Sequence, residues 1–540
     1  MFLRDRVVSL NHARLCGPGD DSLITSTRRP CDEAVILSGH CLDAARRRGA
    51  WVLAATVLGS GMEFIDGTVV NVALPALQQG LGATGPQVQW VVEAYALFLS
   101  ALLLVGGALG DRLGLRRIFM AGAVLFAVAS VGCGLAQNIG QLIAARALQG
   151  IGGAMLVPNS LALVSAHFPP EERGRAIGTW SGFAAMMTAL GPIAGGLLVE
   201  HGSWRWVFFV NAPLAILTVS ILTRYVPETP AQATRGALRD LDWKGAALLT
   251  TGLAGLTFAL IEGTEGGRAM WVVGSSGALL LVTAFLVESR MAHPLVPLAL
   301  FRSREFVGAN LLTFGLYAAL AGELFYLPLN LIQIQGYSPA HAGAAMVPMV
   351  VLMFLLSRSS GGLMARYGAR RPLVVGPLIM AAGYGMLARP GVGGPYWTTY
   401  FPAILLLGLG MAVSVAPLTT VVMSSVEESS TGAASGVNNA VSQMASLLAL
   451  AVFSPIFFHT FSPSLAERLA KAHVSDATVQ NVVEQRARLG AIETNDKQTR
   501  QAVDEAFVSG FRVVMLVAAG LAIAASASAA ATMSSRSRSA

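Results

Sequence analysis

The chain has 540 residues, of which 54% are hydrophobic and only 12% are charged, and its mean hydropathy is +0.60. Soluble domains carry about 25% charged residues, so the composition excludes a soluble protein of this length. The net charge of +7 is spread over many short loops instead of one basic patch, which argues against a nucleic-acid partner. The four cysteines, at positions 16, 31, 41 and 133, form no pattern typical of a disulfide framework.

Long unbroken apolar runs recur along the whole chain. Lipid cannot satisfy backbone polar groups, and a membrane barrel would show short alternating runs, so the spans must be helices. About 14 spans of about 21 residues would use roughly 290 residues, which is also the size of the hydrophobic fraction. We therefore predict an all-α polytopic membrane protein with spans at 51–76, 89–110, 118–136, 139–165, 176–199, 204–224, 243–261, 270–288, 306–333, 341–364, 372–389, 397–423, 431–458 and 509–532.

Basic residues predict the orientation of the spans. Arginines are found in the loops after spans 2, 4 and 10 and directly before span 1, whereas the loop between spans 1 and 2 has no Arg or Lys. Because cytoplasmic loops carry the excess of Lys and Arg, both termini should be cytoplasmic. The loop arginines are Arg112, Arg116, Arg117, Arg173, Arg175, Arg366, Arg370 and Arg371.

Three segments are polar. Residues 1–49 lack the apolar core of a signal peptide and are expected to be a disordered cytoplasmic tail, and residues 533–540 a second short cytoplasmic tail. Residues 460–508 are rich in Ala, Glu, Arg and Gln and should be extracytoplasmic. They are expected to form either one amphipathic helix, lying on the membrane or against a partner, or a solvated helical loop.

An internal repeat predicts the architecture. The string GALGDRLGLRR begins at Gly107 and GGLMARYGARR begins at Gly361, so each copy closes the second span of a six-span half. The halves would be residues 50–225 and 305–532, with 226–304 as an inserted helix pair and its linkers. Transporters built from such repeats bind substrate at the repeat interface near mid-membrane.

Five strings together resemble the major facilitator superfamily, specifically its fourteen-span drug/proton antiporter branch of the multidrug efflux permease type. They are FIDGTVVNVALP at 64–75, GALGDRLGLRR at 107–117, RALQGIGGA at 146–154, GPIAGG at 191–196 and WRWVFFVNAP at 204–213. The chain departs from the family pattern at Met187, where the antiporter motif has a further Gly, and at Ala365, where the second loop copy lacks the acid. The resemblance implies the major facilitator fold, with two six-helix halves plus two inserted helices.

Asp66 is the predicted proton-coupling residue. A lone carboxylate in a membrane helix costs several kcal/mol, so Asp66 should be protonated, paired or in a watered cavity. The resemblance implies proton exchange at Asp66, with Arg146 favouring release of the proton. Glu63 lies on nearly the same helical face and shares the proton-coupling assignment. The alternatives are permanent structural pairing for Asp66 and Arg146, and an aqueous vestibule for Glu63.

Two further motifs are predicted to serve conformational change. The first is a latch at the cytoplasmic end of span 2, for which simple topogenic charge is the alternative; its residues are Asp111, Arg112, Gly114, Arg116 and Arg117. The second is a kink in span 5 at Gly191, Pro192, Gly195 and Gly196, preceded by Gly178 and Gly182 at the same four-residue spacing. Small residues there allow close helix packing, and proline bends the helix.

Further polar and aromatic residues at membrane depth are predicted to bind substrate. They are Glu93 in span 2, Glu323 and Tyr326 in span 9, and Asn439 and Gln443 in span 13. Acids beside aromatic rings suit a lipophilic cation. The alternatives are proton relay or a lone pairing role for the acids, and helix-to-helix bonding for span 13.

The predicted function is proton-coupled export of hydrophobic, cationic or amphipathic compounds from the inner (plasma) membrane. We find no enzyme motif such as HExxH or a phosphate loop. We therefore expect no cofactor and no metal, and we expect the proton gradient to be the energy source. Expected partners are the lipid bilayer and a small hydrophobic substrate; the resemblance adds a periplasmic adaptor and outer-membrane channel. The alternatives are a dedicated exporter of one metabolite, siderophore or lipid, and a non-transporting membrane sensor or scaffold.

Overall fold

A computed structural model describes residues 31–228, 243–263, 267–290, 298–353, 355–356, 367–427, 431–472 and 474–533. Every regular element within these ranges is helical. Predictions for residues 1–30 and 534–540, and for Arg366 in the second repeat copy, lie outside the described residues.

The helices are numbered in chain order. Helices α1 to α7 are Cys31–Leu81, Gly85–Leu113, Leu115–Leu135, Ile139–His167, Pro170–His201, Trp206–Phe209 and Asn211–Tyr225. Helices α8 and α9 are Trp243–Glu262 and Gly267–Glu288. Helices α10 to α17 are Arg304–Leu329, Pro339–Ala345, Arg370–Leu387, Tyr396–Thr399, Phe401–Ser424, Thr431–Lys471, Asp476–Glu484 and Lys497–Thr532. Short 3-10 segments lie at Leu298–Arg302 and Arg486–Ala491, and a π turn at Asn330–Ile334.

Local side-chain caps explain where several helices begin. Thr84 accepts a hydrogen bond from the Gln87 backbone, and the Gln87 side chain accepts one from the Thr84 backbone, so a reciprocal cap starts α2. Asp496 starts α17 by accepting from the Thr499 hydroxyl at 2.6 Å and from its backbone N–H at 2.8 Å. The Thr499 hydroxyl and backbone bonds hold the pKa of the Asp496 carboxyl below its usual range, because both favour the ionised form.

Twelve helices among the described residues are long and apolar enough to cross a membrane. They correspond to predicted spans 1 to 9 and 12 to 14. Predicted span 10 corresponds to α11, part of the shorter apolar helix Pro339–Met353, and span 11 to α12, which begins with two arginines. The chain is therefore a multi-pass membrane protein, while the count of fourteen spans stays a prediction.

The structure differs from the sequence expectation in two polar segments. Helix α1 begins at Cys31, inside the expected disordered tail, because no proline interrupts the run before Gly49. The segment 460–508 is not one amphipathic helix: α15 continues to Lys471, and α16 and the 3-10 segment precede α17. We call the end of the bundle that carries this segment and the Gly82 turn the loop end, and the opposite end, at Gly114, the motif end.

The two repeat copies have matching geometry at the motif end. Gly114 and Gly368 both have positive φ, 104° and 74°, a conformation that glycine adopts at little cost. Arg116 donates to the Thr223 carbonyl at 3.5 Å, near the end of α7. Arg370, which aligns with Arg116, donates at 2.7 Å to a carbonyl near the end of α17, that of Ala530. Each copy thus ties its turn to the last helix of its own predicted half.

Helices α5 and α11 bring the two predicted halves into backbone contact at the loop end. A Cβ built on Gly196 of α5 would lie 2.4 Å from the Pro339 carbonyl oxygen, and one on Gly343 of α11 would lie 2.0 Å from that of Pro192. The Glu200 carboxylate accepts the Ala340 backbone N–H at 3.0 Å. The loop end is therefore closed between these two helices.

The segment Arg486–Ala491 also joins both halves at this end. Gln78 of α1 donates to the Arg488 carbonyl at 3.0 Å and accepts from Gln333 of the second half at 2.8 Å. Arg500 of α17 donates to the carbonyls of Gly490 at 3.0 Å and Gln333 at 2.7 Å. The segment is therefore docked on the bundle instead of being a solvated loop.

The inserted pair α8 and α9 docks mainly through α8. Helix α8 packs against α2 and α15, one helix from each predicted half, whereas α9 packs on α8. Trp90 of α2 donates to the Glu262 carboxylate at 3.3 Å and its ring contacts Phe258. The outer face of α9 is exposed and apolar, as expected for a lipid-facing helix.

Candidate functional site

Asp66 lies at the centre of a buried polar cluster in the first half. Its side chain is fully buried, and its Oδ2 accepts from Arg146 of α4 at 2.5 Å. Of the three states that the sequence allows for this carboxylate, the structure places it in the paired one. Removing one partner of a buried ion pair costs about 3–5 kcal/mol, because the other charge is left uncompensated.

Two side-chain amides complete the surroundings of Asp66. Gln149 of α4 donates to Oδ1 at 2.8 Å, and Asn211 of α7 donates to the same oxygen at 3.3 Å. Both side chains are fully buried. The carboxylate therefore accepts from three donors on two helices, which offsets part of its desolvation cost.

Arg146 is held from α2 as well as from α1. Its Nε donates to the Val91 carbonyl at 2.9 Å, and its guanidinium lies 4.3 Å from the centre of the Tyr95 ring. The ring face attracts the cation, and the planar guanidinium fixes the direction of its hydrogen bonds. Any movement of α2 against α1 would therefore act on the Asp66–Arg146 pair.

Glu63 lies one turn before Asp66 on α1. It is buried, and its carboxyl interacts electrostatically with Asp66 and with Tyr95. Its Oε2 has no hydrogen-bond partner among the described residues. The structure thus brings Glu63, Asp66 and Arg146 together, and their role in proton coupling stays a prediction.

Glu93 lies where the first half meets the second. Its Oε1 accepts from Gln89 at 3.4 Å, and Gln89 also donates to the Leu450 carbonyl of α15 at 3.0 Å. The carboxyl interacts electrostatically with the hydroxyl of Tyr326 on α10. Glu93 and Tyr326, two predicted substrate residues, are therefore close enough across the interface to interact electrostatically.

Tyr326 belongs to an aromatic cluster in the second half. Its ring stacks on Phe457 of α15 at 5.0 Å and contacts Phe325 edge-on at the same distance. Phe457 in turn contacts Phe461 and Phe507. These rings form one apolar cluster that includes Tyr326.

Glu323 occupies a separate position on α10. It is buried beside Tyr384 of α12, with which it interacts electrostatically, but the geometry between them gives no hydrogen bond. Both oxygens of its carboxyl lack a hydrogen-bond partner among the described residues. Glu93 and Glu323 thus lie in different polar surroundings and do not form one acidic pair.

The predicted polar side of α15 is divided. Asn438 accepts from the Thr313 hydroxyl of α10 at 2.7 Å, which is a helix-to-helix bond. Asn439 is exposed and Gln443 is half-buried. The structure therefore gives Asn438 the bonding role, and leaves Asn439 and Gln443 available to a cavity.

The predicted latch bonds within the first half. Arg117 pairs with Glu228 at 3.1 Å, Arg116 reaches the same carboxylate at 3.9 Å, and Asp111 is exposed. Arg112 is partly exposed and has an interaction of its own. The described contacts therefore join α3 to the chain that follows α7, and a latch between the halves stays a prediction.

The span 5 glycines behave differently from one another. Gly191 and Gly195 lie against Thr68 and Val69 of α1, too close for a Cβ. A Cβ on Gly178 or Gly182 would meet nothing within 4 Å among the described residues. Close packing around Pro192 is thus present, but the two earlier glycines do not share it, and a kink there stays a prediction.

Sequence reasoning missed several members of these clusters. Asn211 is part of the span 6 string, but the string does not show that its side chain reaches Asp66. Tyr384 and Glu228 carried no signal beyond their residue types. Helical spacing predicts which residues share one helix face, whereas partners on other helices need the fold.

Comparison with known proteins places the chain among transporters. The family model described as Major Facilitator Superfamily matches residues 56–450. The tetracenomycin C resistance and export protein of Streptomyces glaucescens is 33% identical over 501 residues, covering 90% of this chain and 92% of that protein. The multidrug resistance protein Stp of Mycobacterium tuberculosis is 32% identical over 490 residues, covering 86% and 88%.

The likeness extends to a solved structure. It is a bacterial homologue of the human lysosomal transporter Spinster in an inward-facing, unoccupied conformation. It covers 91% of this chain and 99% of its own, with a TM-score of 0.61 and 18% identity. At that identity the likeness shows a shared fold.

Proposed function

This chain belongs to the major facilitator superfamily, and we propose that it is a proton-coupled antiporter that exports hydrophobic, cationic or amphipathic compounds by alternating access. Membership makes it a membrane transporter and not an enzyme. The observation that carries the proton coupling is the fully buried pair of Asp66 and Arg146. Burying an ion pair costs free energy of desolvation. Exchange of the Arg146 partner for a proton at Asp66 would explain why such a pair is present in a membrane helix.

In the proposed cycle, Asp66 alternates between the ion pair and a proton. Protonation removes the charge that holds Arg146, and the guanidinium then keeps its contacts to Val91 and Tyr95 on α2. Arg146 is then bound to α2 but no longer to Asp66 on α1, so α1 and α2 are held together less tightly. Each proton that enters with the membrane potential supplies about 2.3 kcal/mol per 100 mV, before any pH gradient.

Substrate recognition is proposed at the interface of the halves. Glu93 and Tyr326 interact electrostatically there, and the rings that continue from Tyr326 offer an apolar, polarisable surface. Glu323 would serve as a second acid, and Asn439 and Gln443 as polar contacts. The relatives are named for resistance to and export of tetracenomycin C and for multidrug resistance, which supports drug export by this chain.

Placement in the cell follows from the same proposal. The arginines at the motif end predict that this end and both termini face the cytoplasm, so the loop end would face outward from the inner membrane. A periplasmic adaptor would meet the protein at the loop end. Copurification with and without substitutions in residues 476–495 tests for such a partner.

Dye uptake into inverted vesicles, whose outer face is the cytoplasmic one, tests the proposed function. We expect an imposed pH gradient to drive ethidium transport by the native protein, and Asp66→Asn to abolish the gradient-dependent part. Asp476→Asn removes an exposed carboxylate of α16 and serves as the matched control, with native activity expected. Gradient-independent transport by the native protein would contradict the antiport proposal.

A dedicated exporter of one compound is the second candidate, because one relative is named for tetracenomycin C alone. A panel of chemically different compounds distinguishes the two. Export of a single member would favour the dedicated exporter, and export of several would favour the broad one.

A further inference from the structure

Asn211 connects Asp66 to a fourth helix. It is the first residue of α7, directly after the break between α6 and α7, and it is fully buried. Its Nδ2 donates to Asp66 Oδ1 at 3.3 Å and to the hydroxyl oxygen of Ser130 on α3 at 2.9 Å. Both hydrogens of this amide nitrogen are therefore directed at named acceptors.

The Ser130 hydroxyl decides which end of the Asn211 amide faces Asp66. Ser130 is fully buried and donates its single hydrogen to the Phe208 carbonyl at 2.8 Å. Once that hydrogen is used, the hydroxyl oxygen can only accept. The amide nitrogen of Asn211, and not its oxygen, must then point to Ser130 and Asp66. The Asn211 Oδ1 has no hydrogen-bond partner among the described residues, so no competing contact fixes the opposite orientation.

Gln149 is oriented in the same way from another side. Its Oε1 accepts from the Arg146 guanidinium at 2.7 Å, which directs its Nε2 to Asp66 at 2.8 Å. Arginine can only donate, so this orientation is fixed too. Both amides around Asp66 are thus held as donors, by Ser130 in one case and by Arg146 in the other.

We infer that Ser130 is a positioning residue for the proton-coupling site: by fixing Asn211 as a donor, it holds Asp66 as a carboxylate in the conformation that is closed at the loop end. A carboxylate oxygen accepts from such donors, whereas a protonated Asp66 would need an acceptor for its own hydrogen. If the Asn211 amide turned over, its Oδ1 would be such an acceptor, and Ser130 prevents that turn. The inference rests on the proposed antiport through Asp66.

We call the chain of hydrogen bonds from the Phe208 carbonyl through Ser130 and Asn211 to Asp66 the relay. The other titratable and charged groups around Asp66 do not replace it. Glu63 faces it from α1 itself, Tyr95 from α2, Cys133 from α3 and Arg146 from α4. Arg146 is the cation among them and remains present in variants of Ser130. Those variants therefore change the orientation of one donor without removing the ion pair.

Two transport assays on purified protein in liposomes separate positioning from folding. Gradient-driven export needs Asp66 to bind and release a proton, whereas exchange of labelled for unlabelled substrate at equal pH needs only the substrate-loaded conformations. For Ser130→Ala we expect gradient-driven export to fall about tenfold, the factor of one charge-assisted hydrogen bond, with exchange within about twofold of native. Ser130→Thr keeps the hydroxyl and should restore export.

Ser100→Ala is the matched control, because Ser100 is a buried serine whose hydroxyl donates to the Leu97 carbonyl of its own helix. Equal loss of export and exchange in Ser130→Ala, or export equal to that of the control, would overturn the inference. If Ser130→Ala fails to fold, Asn211→Ala removes the other end of the relay and carries the same expectation. Native protein that shows no gradient-driven export would instead refute the proposed function.

Discussion

Substitution of Gly343 by alanine should open the loop end of the bundle. The added Cβ would lie 2.0 Å from the Pro192 carbonyl oxygen, whereas ordinary contacts begin at 3.4 Å. Helices α5 and α11 must therefore separate by more than 1 Å, and both contact atoms belong to backbone or to Cβ, so no side chain can rotate away. Overpacking of this kind costs about 1–3 kcal/mol, which corresponds to about 5- to 150-fold in the population of the closed state.

Spin labels on opposite halves at the loop end measure this effect. Labels at His201 and Val392, both exposed, should show one distance in the native protein and a second, longer distance in Gly343→Ala. Gly182→Ala is the control, since a Cβ there meets nothing within 4 Å of the described residues. An unchanged distance distribution in Gly343→Ala would refute the reasoning that this backbone contact governs closure.

Three further substitutions test separate contacts. Gly106→Ala should lower the unfolding temperature in detergent, because its Cβ would lie 2.0 Å from the Ala154 carbonyl oxygen and overpacking costs about 1–3 kcal/mol; an unchanged temperature would contradict it. Glu228→Gln should lower the free energy of unfolding by less than about 1 kcal/mol in a denaturation measurement, since its pair with Arg117 is partly exposed. A larger loss of stability would show a greater role in the latch. Glu93→Gln should reduce export of cationic dyes more than export of neutral ones, as measured in parallel efflux assays, and equal reduction would remove Glu93 from cation recognition.

Much of the fold could be predicted from the sequence because membrane helices are long and apolar. Long apolar runs predicted the multi-pass architecture, and the spacing of the two repeat copies predicted equivalent turns, which Gly114 and Gly368 form with positive φ. Family membership, expected from five motifs, is confirmed. The least predictable segment was 472–496, because its polar residues make no periodic pattern and its structure depends on helix ends from both halves.

The candidate site could be predicted only in part. An acid or a permanent cation inside an apolar span costs free energy to bury. Asp66 and Arg146 therefore stood out as charged residues within predicted spans. Ser130 and Asn211 did not, because small polar residues are common in membrane helices and their importance depends on which group they donate to. That direction follows from the chain of bonds to the Phe208 carbonyl, which links residues 78 positions apart.

The position of the docked segment Arg486–Ala491 on the protein surface depends on whether the loop end is closed. Leu489 lies against Gly85, and the neighbouring carbonyls accept hydrogen bonds from Gln78 and Arg500, so helices of both halves share one short stretch of chain. The stretch cannot remain seated on all of them once their ends part. An antibody fragment selected against the seated form would therefore distinguish the two conformations in unlabelled protein, and its dissociation during turnover would count transport cycles.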